Sequence, residues 1–125
     1  MLSPYDIAKH AVVALDSKKA KNIVLLRTSE ITTLADYFII TTATSSTHLK
    51  TLSDEVEKVL KELGEAQLGR EGHRSGDWLL LDYDCVVVNV FLQEARDFYT
   101  LERLWSDAES IDVSDIISAP TVLSS

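Results

Sequence analysis

The residues with the most chemical potential lie in the stretch SGDWLLLDYDCVVVNVFL at positions 75–92, where Asp82 and Asp84 flank Tyr83. Two carboxylates one residue apart on an extended strand point to the same face and can hold a divalent metal. In nucleotide-transferring enzymes a small-residue turn at the start of a helix then receives the triphosphate. Ala43, Thr44, Ser45 and Ser46 make such a strand-to-helix turn. A metal-dependent nucleotidyltransferase using Asp82 and Asp84 is therefore one functional reading, and three features oppose it. A whole helix and an expected strand separate the turn from the carboxylates, whereas that enzyme motif keeps them close. The turn has no glycine, although close approach of backbone to phosphate ordinarily needs one. Asp84 also stands where a hairpin must reverse, which takes the two carboxylates off a common strand.

Other catalytic constellations are thinner. Cys85 is the sole cysteine, which excludes an internal disulfide and a thiolate zinc cluster, and the neighbouring Asp84 disfavours its thiolate. His10, His48 and His73 are far apart and form no metal-ligand pair at helical spacing. His48, in the first turn of an expected helix, has the chemistry of an anion contact or a general base, and equally that of an idle surface histidine. No G-x-S-x-G elbow places a nucleophile. The expectation is a protein that is not an enzyme, with no catalytic residue, no metal and no cofactor.

The bulk composition suits one folded, soluble domain. The chain has 125 residues, of which 46% are hydrophobic and 26% charged, enough for one core. No apolar run approaches the roughly 20 residues that cross a bilayer, and the N-terminus reads as a capped helix in place of a secretion signal. A cytoplasmic location without membrane contact is expected. The net charge of −8 opposes phosphate tracking, so no specific nucleic-acid partner is expected and a basic protein is the better fit.

The elements that must position these residues follow from caps and periodicity. Ser3, Pro4 and Asp6 start a first helix, and Ile7, Ala8, Ala11, Val12 and Leu15 give it one buried stripe as far as Ser17. Lysines 18, 19 and 21 end it. Short β-branched or aromatic runs at 23–26 and 37–40 predict two strands covered on both faces. Leu49, Leu52, Val56, Val59, Leu60 and Leu63 make the stripe of a second helix, capped by Ser45, Ser46 or Thr47 and closed by Gly64. A short strand is expected within 64–78. Strands at 78–82 and 86–92 then form a hairpin, and a third helix runs over 94–105 with Ala95, Phe98, Leu101, Leu104 and Trp105 on one face. The order predicts an α/β fold: a single-domain mixed β-sheet with flanking helices. Residues 1–106 form the domain, and 107–125 form an acidic, serine-rich tail that is partly docked or mobile.

Alternation within the hairpin carries a functional hint. With a two-residue turn, Trp78, Leu80 and Asp82 share a face with Val87, Asn89 and Phe91. A three-residue turn sets Trp78 beside Val86, Val88 and Val90 instead. The first face has the composition of an interface centre with a polar edge, where tryptophan often dominates binding, and equally suits a face covered by one of the chain's own helices.

Taken together, ADYFIITTATSS at 35–46, REG at 70–72, GDWLLLDYDCVVVNVF at 76–91 and EARDFYTLERLW at 94–105 resemble the Iojap-like ribosomal silencing factors. The resemblance spans nearly the whole chain up to the tail. It implies a nucleotidyltransferase-like fold without the catalytic site. It also implies a translational repressor that binds the large ribosomal subunit through its fourteenth protein, blocks joining of the small subunit when nutrients are short, and forms a homodimer when free. Carried onto this sequence, its surface residues are Asp36, Tyr37, Thr44, Ser45, Trp78 and Asp82, to which the hairpin face adds Leu80 and Asn89 as protein-interaction candidates. Ala43 and Asp84 stand where the family commonly has glycine, and Asn89 where it commonly has histidine. A dimeric adaptor for another protein is the remaining alternative.

Overall fold

The computed structural model describes residues 2–72, 76–99 and 106–117. Helix α1 spans Pro4–Ser17, and its first free amides are met as the sequence predicts: the Asp6 N–H donates to the Ser3 Oγ at 3.2 Å. Strands β1 (Lys21–Arg27) and β2 (Tyr37–Ala43) follow, then α2 (Ser46–Glu62). Helix α2 ends in a Schellman closure, with Glu65 N–H donating to Leu60 O and Gly64 N–H to Lys61 O. That closure needs the φ of +84° that Gly64 adopts. Strands β3 (Gly69–Gly72), β4 (Trp78–Asp82) and β5 (Val86–Leu92), helix α3 (Gln93–Tyr99) and strand β6 (Glu109–Ile111) complete the order.

The six strands form one sheet in the order β3-β4-β5-β2-β1-β6. β2 and β5 run parallel at its centre and every other neighbouring pair is antiparallel, so the sheet is mixed as expected. Helices α1 and α2 cover one face. Their stripe residues Val12, Leu15, Leu52, Val56 and Leu60 pack on Leu25, Ile39, Leu81, Val88 and Val90 of the sheet. Alternation sends the intervening residues to the other face, where α3 covers a smaller cluster of Leu26, Ile40, Phe91 and Ala95. Arg96 of α3 is buried and tied down, its Nη1 donating to Asn22 O at 2.6 Å and Thr42 Oγ1 at 2.7 Å.

Several expected boundaries shift. The expected strands lengthen to seven residues each, since pairing with neighbours on both sides recruits their polar ends. Leu63 lies beyond the last helical turn of α2 and is exposed. The described part of the third helix ends at Tyr99, and Leu101, Leu104 and Trp105 lie outside the described residues. Strand β6 and the segment after it come from the acidic stretch set apart as a tail. Glu109–Ile111 pairs with β1, and Ile116 is buried in the α1–α2 core with Ile111, Val113 and Ile117 against it.

Candidate functional site

The β4–β5 hairpin turns on two residues, Asp84 and Cys85, between the paired Tyr83 and Val86. Asp84 takes a φ of +70°, and its N–H donates to Asp82 Oδ1 at 2.8 Å. Asp82 is the last residue of β4 and Asp84 is off the strand, so the alternation needed for a metal-holding pair is broken. The Ala43–Ser46 turn is also misplaced for that chemistry. Asp82 pairs with Val87 and thence with Phe38 near the start of β2, whereas Thr44 follows its end. At ~3.3 Å per residue, six residues put roughly 20 Å between the turn and the carboxylates.

The two-residue turn fixes the tryptophan face. Trp78 is directly opposite Phe91, Leu80 opposite Asn89 and Asp82 opposite Val87. The Trp78 ring stacks on Phe91 with centroids 5.1 Å apart, and its Nε1–H donates to Asn89 Oδ1 at 3.1 Å. Asn89 is 0% exposed, which corrects its assignment as an interaction residue: it holds the indole in place and cannot touch a partner. Trp78, Leu80 and Asp82 are half-buried, and among the described residues α3 packs on Leu26, Ile40 and Phe91 to one side of them.

Two adjoining hollows follow that open face. One of about 200 Å³ is lined by Glu71, Gly72, Trp78 and Leu80. The other, of about 310 Å³, reaches from Leu80, Glu71 and Asp82 across Val87 and Phe38 to Leu34. Leu34 projects with 78% of its surface exposed from a loop that buried Thr28 pins, its hydroxyl donating to Ala35 O and its N–H to Asp36 O. Sequence reading missed Glu71, Phe38 and Leu34 as lining residues. Glu71 was legible only as part of the REG segment of the family resemblance and of a short strand among glycines, too short for alternation to register.

The other candidate residues lie elsewhere. Asp36 and Tyr37 both donate their N–H to Cys85 O, which anchors the start of β2 to the hairpin turn. The Tyr37 side chain faces the helical layer, 5.7 Å from the Tyr5 ring of α1, and burial raises its pKa. Thr44 and Ser45 are exposed at the far end of β2. Ser45 Oγ accepts from His48 N–H, capping α2. The Thr44 N–H donates to His48 Nδ1 at 2.9 Å, which leaves the ring proton on Nε2, and that nitrogen donates to Lys18 O at 2.7 Å. His48 is thus a staple between the α1–β1 and β2–α2 turns, beside the lysines at 18, 19 and 21. The eight candidates do not make one patch: Trp78, Leu80 and Asp82 share the open face, with Asn89 beneath them.

Burial pushes the Cys85 thiol up, with the charges of Asp36 and Asp84 adding to the effect, which opposes a reactive thiolate. Tyr83 is buried on the helical side and pushed up to about 12, first by desolvation and then by the Glu57 carboxylate.

Residues 2–123 match the sequence model of the family described as RsfS, ribosomal silencing factor during starvation. The ribosomal silencing factor RsfS of Chromobacterium violaceum is 43% identical over 100 residues, covering 80% of this chain and 82% of that protein. A mouse protein named mitochondrial assembly of ribosomal large subunit protein 1 is 30% identical over 114 residues, 89% of this chain and 50% of its own. A crystal structure of a Chromobacterium violaceum protein superposes with a TM-score of 0.81 at 41% identity, covering 84% of this chain and 88% of that one.

Proposed function

The chain belongs to the RsfS family, the ribosomal silencing factors during starvation, and from that premise we propose that it binds the large ribosomal subunit with its open sheet face and sterically blocks joining of the small subunit. The family's role is ribosome-associated silencing of translation. The observation that carries the finer reading is Trp78: a half-buried indole, held by Asn89 and Phe91, on a sheet face where it lines a hollow with Leu80 and Glu71. A large aromatic held rigid before binding loses little entropy on docking and is the commonest kind of anchor in a protein interface.

The partner in this reading is a basic protein of the large subunit, its fourteenth protein by family resemblance. The name of the mouse relative, which ties that protein to assembly of the large subunit, supports the choice of subunit. The net charge of −8 favours a basic protein patch and disfavours wider contact with RNA phosphates. Exclusion by volume needs no catalytic residue, metal or cofactor. Free chains pair as homodimers in the cytoplasm, and the ribosome-bound form is the silencing one. In a subunit-joining assay, the intact protein added to purified large subunits before small subunits is expected to shift the gradient profile from joined ribosomes to free subunits. An unchanged profile at saturating protein contradicts the reading.

A further inference from the structure

We propose that Glu71 is the specificity-determining residue of the open face, and that it selects a partner segment in which a Lys or Arg side chain lies next to an apolar one. The inference builds on the ribosomal reading above. Among the described residues, both hollows are lined by apolar side chains together with Glu71; the larger adds Asp82 and Thr28, and no described lining residue is a cation. A partner that fills them with apolar side chains alone would bury carboxylates without compensation, which costs far more than the apolar contact returns. A cationic side chain beside the apolar one removes that cost, and against the Trp78 indole it gains a cation–π contact as well.

The edge strand is built to present this carboxylate. Arg70 turns to the helical side, where its guanidinium pairs with Asp54 and Glu57 of α2 and holds β3 down. Alternation then sends Glu71 to the open side, opposite Leu80. Asp82 is opposite Gly69, so Glu71 and Asp82 are diagonal neighbours whose backbone positions are about 7–8 Å apart, within reach of one long cationic side chain. They are not equivalent. Asp82 Oδ1 accepts from the Asp84 N–H, whereas Glu71 is exposed and has no hydrogen-bond or ion-pair partner among the described residues.

The test is co-sedimentation of the intact chain with purified large ribosomal subunits across a salt series. Glu71→Gln is expected to weaken binding about tenfold and to flatten its salt dependence, Glu71→Lys to abolish binding, and Glu71→Asp to stay within about threefold of wild type. Unchanged melting temperatures would show that the exposed edge position leaves the fold intact. If wild type pellets and Glu71→Gln pellets equally with the same salt slope, Glu71 does not select the partner and the ribosomal reading stands. If Glu71→Gln alters only self-association by light scattering, the face belongs to a second copy and the inference is overturned. A wild-type chain that does not pellet removes the ribosomal reading and this inference together.

Discussion

The two faces of the β4–β5 hairpin come from the same twelve positions of strand, yet they are packed for different ends. On the helical side Leu81, Val88 and Val90 are wholly buried under α1 and α2. On the other side their immediate neighbours Leu80, Asp82 and Val87 keep part of their surface in water, and Trp78 is half-buried and stiffened by a buried asparagine. Helix α3, described as far as Tyr99, packs on Leu26, Ile40 and Phe91 through Ala95. The contrast separates residues that hold the fold from those proposed to meet a partner.

Substitutions on opposite faces break or sharpen that contrast. The largest effect is expected from Leu81→Ala, which leaves a cavity in the α1–α2 core and costs about 2–5 kcal/mol in chemical denaturation. The adjacent Leu80→Ala, on the open face, is expected to cost less than about 1 kcal/mol of stability while weakening binding to large subunits. Equal destabilisation by the two leucines would erase the distinction between the faces. Next comes Asn89→Ala, which leaves the half-buried indole N–H without its acceptor and costs about 1–2 kcal/mol. Quenching of tryptophan fluorescence by iodide is expected to rise in this variant as the ring loosens.

Smallest at neutral pH is Tyr83→Phe, whose consequence is confined to alkaline solution. The folded-state pKa of Tyr83 is raised to about 12 from an unfolded value of 10.0. The stabilisation is therefore fully present below pH 10.0 and is lost as pH rises through about 12. Tyr37 and Cys85, also raised, act in the same direction. Denaturation midpoints are expected to fall across that window in wild type and to fall less steeply in Tyr83→Phe.

Local rules recovered most elements because their determinants are local. The Ser3 and Ser45 caps, the Gly64 closure and the stripe of α2 each depend on residues within a turn or two of one another. The hairpin face was legible for the same reason: once a two-residue turn is assumed, alternation places Trp78, Leu80 and Asp82 together. The parallel pairing of β2 with β5 joins residues some fifty positions apart, and nothing in either strand encodes it. Strand β6 was hidden because a three-residue edge strand of Glu, Ser and Ile has no periodicity and lies in an acidic, serine-rich context. Asn89 misled for a physical reason. Polarity on an alternating face suggests exposure, yet a buried asparagine is stable when its amide oxygen accepts from an indole N–H. The Asp82–Asp84 pair was legible as turn chemistry, since a hairpin must reverse there and one aspartate holds the turn in which the other sits.

Co-sedimentation of the wild-type chain and Trp78→Ala with isolated large ribosomal subunits tests the central claim most directly, with small subunits as the control. The open-face account predicts that the folded wild-type chain pellets with large subunits and not with small ones. It also predicts that Trp78→Ala, still folded by circular dichroism, loses about thirtyfold or more in affinity, the effect of removing an interface anchor. A folded Trp78→Ala chain that pellets with large subunits as well as wild type does would contradict it.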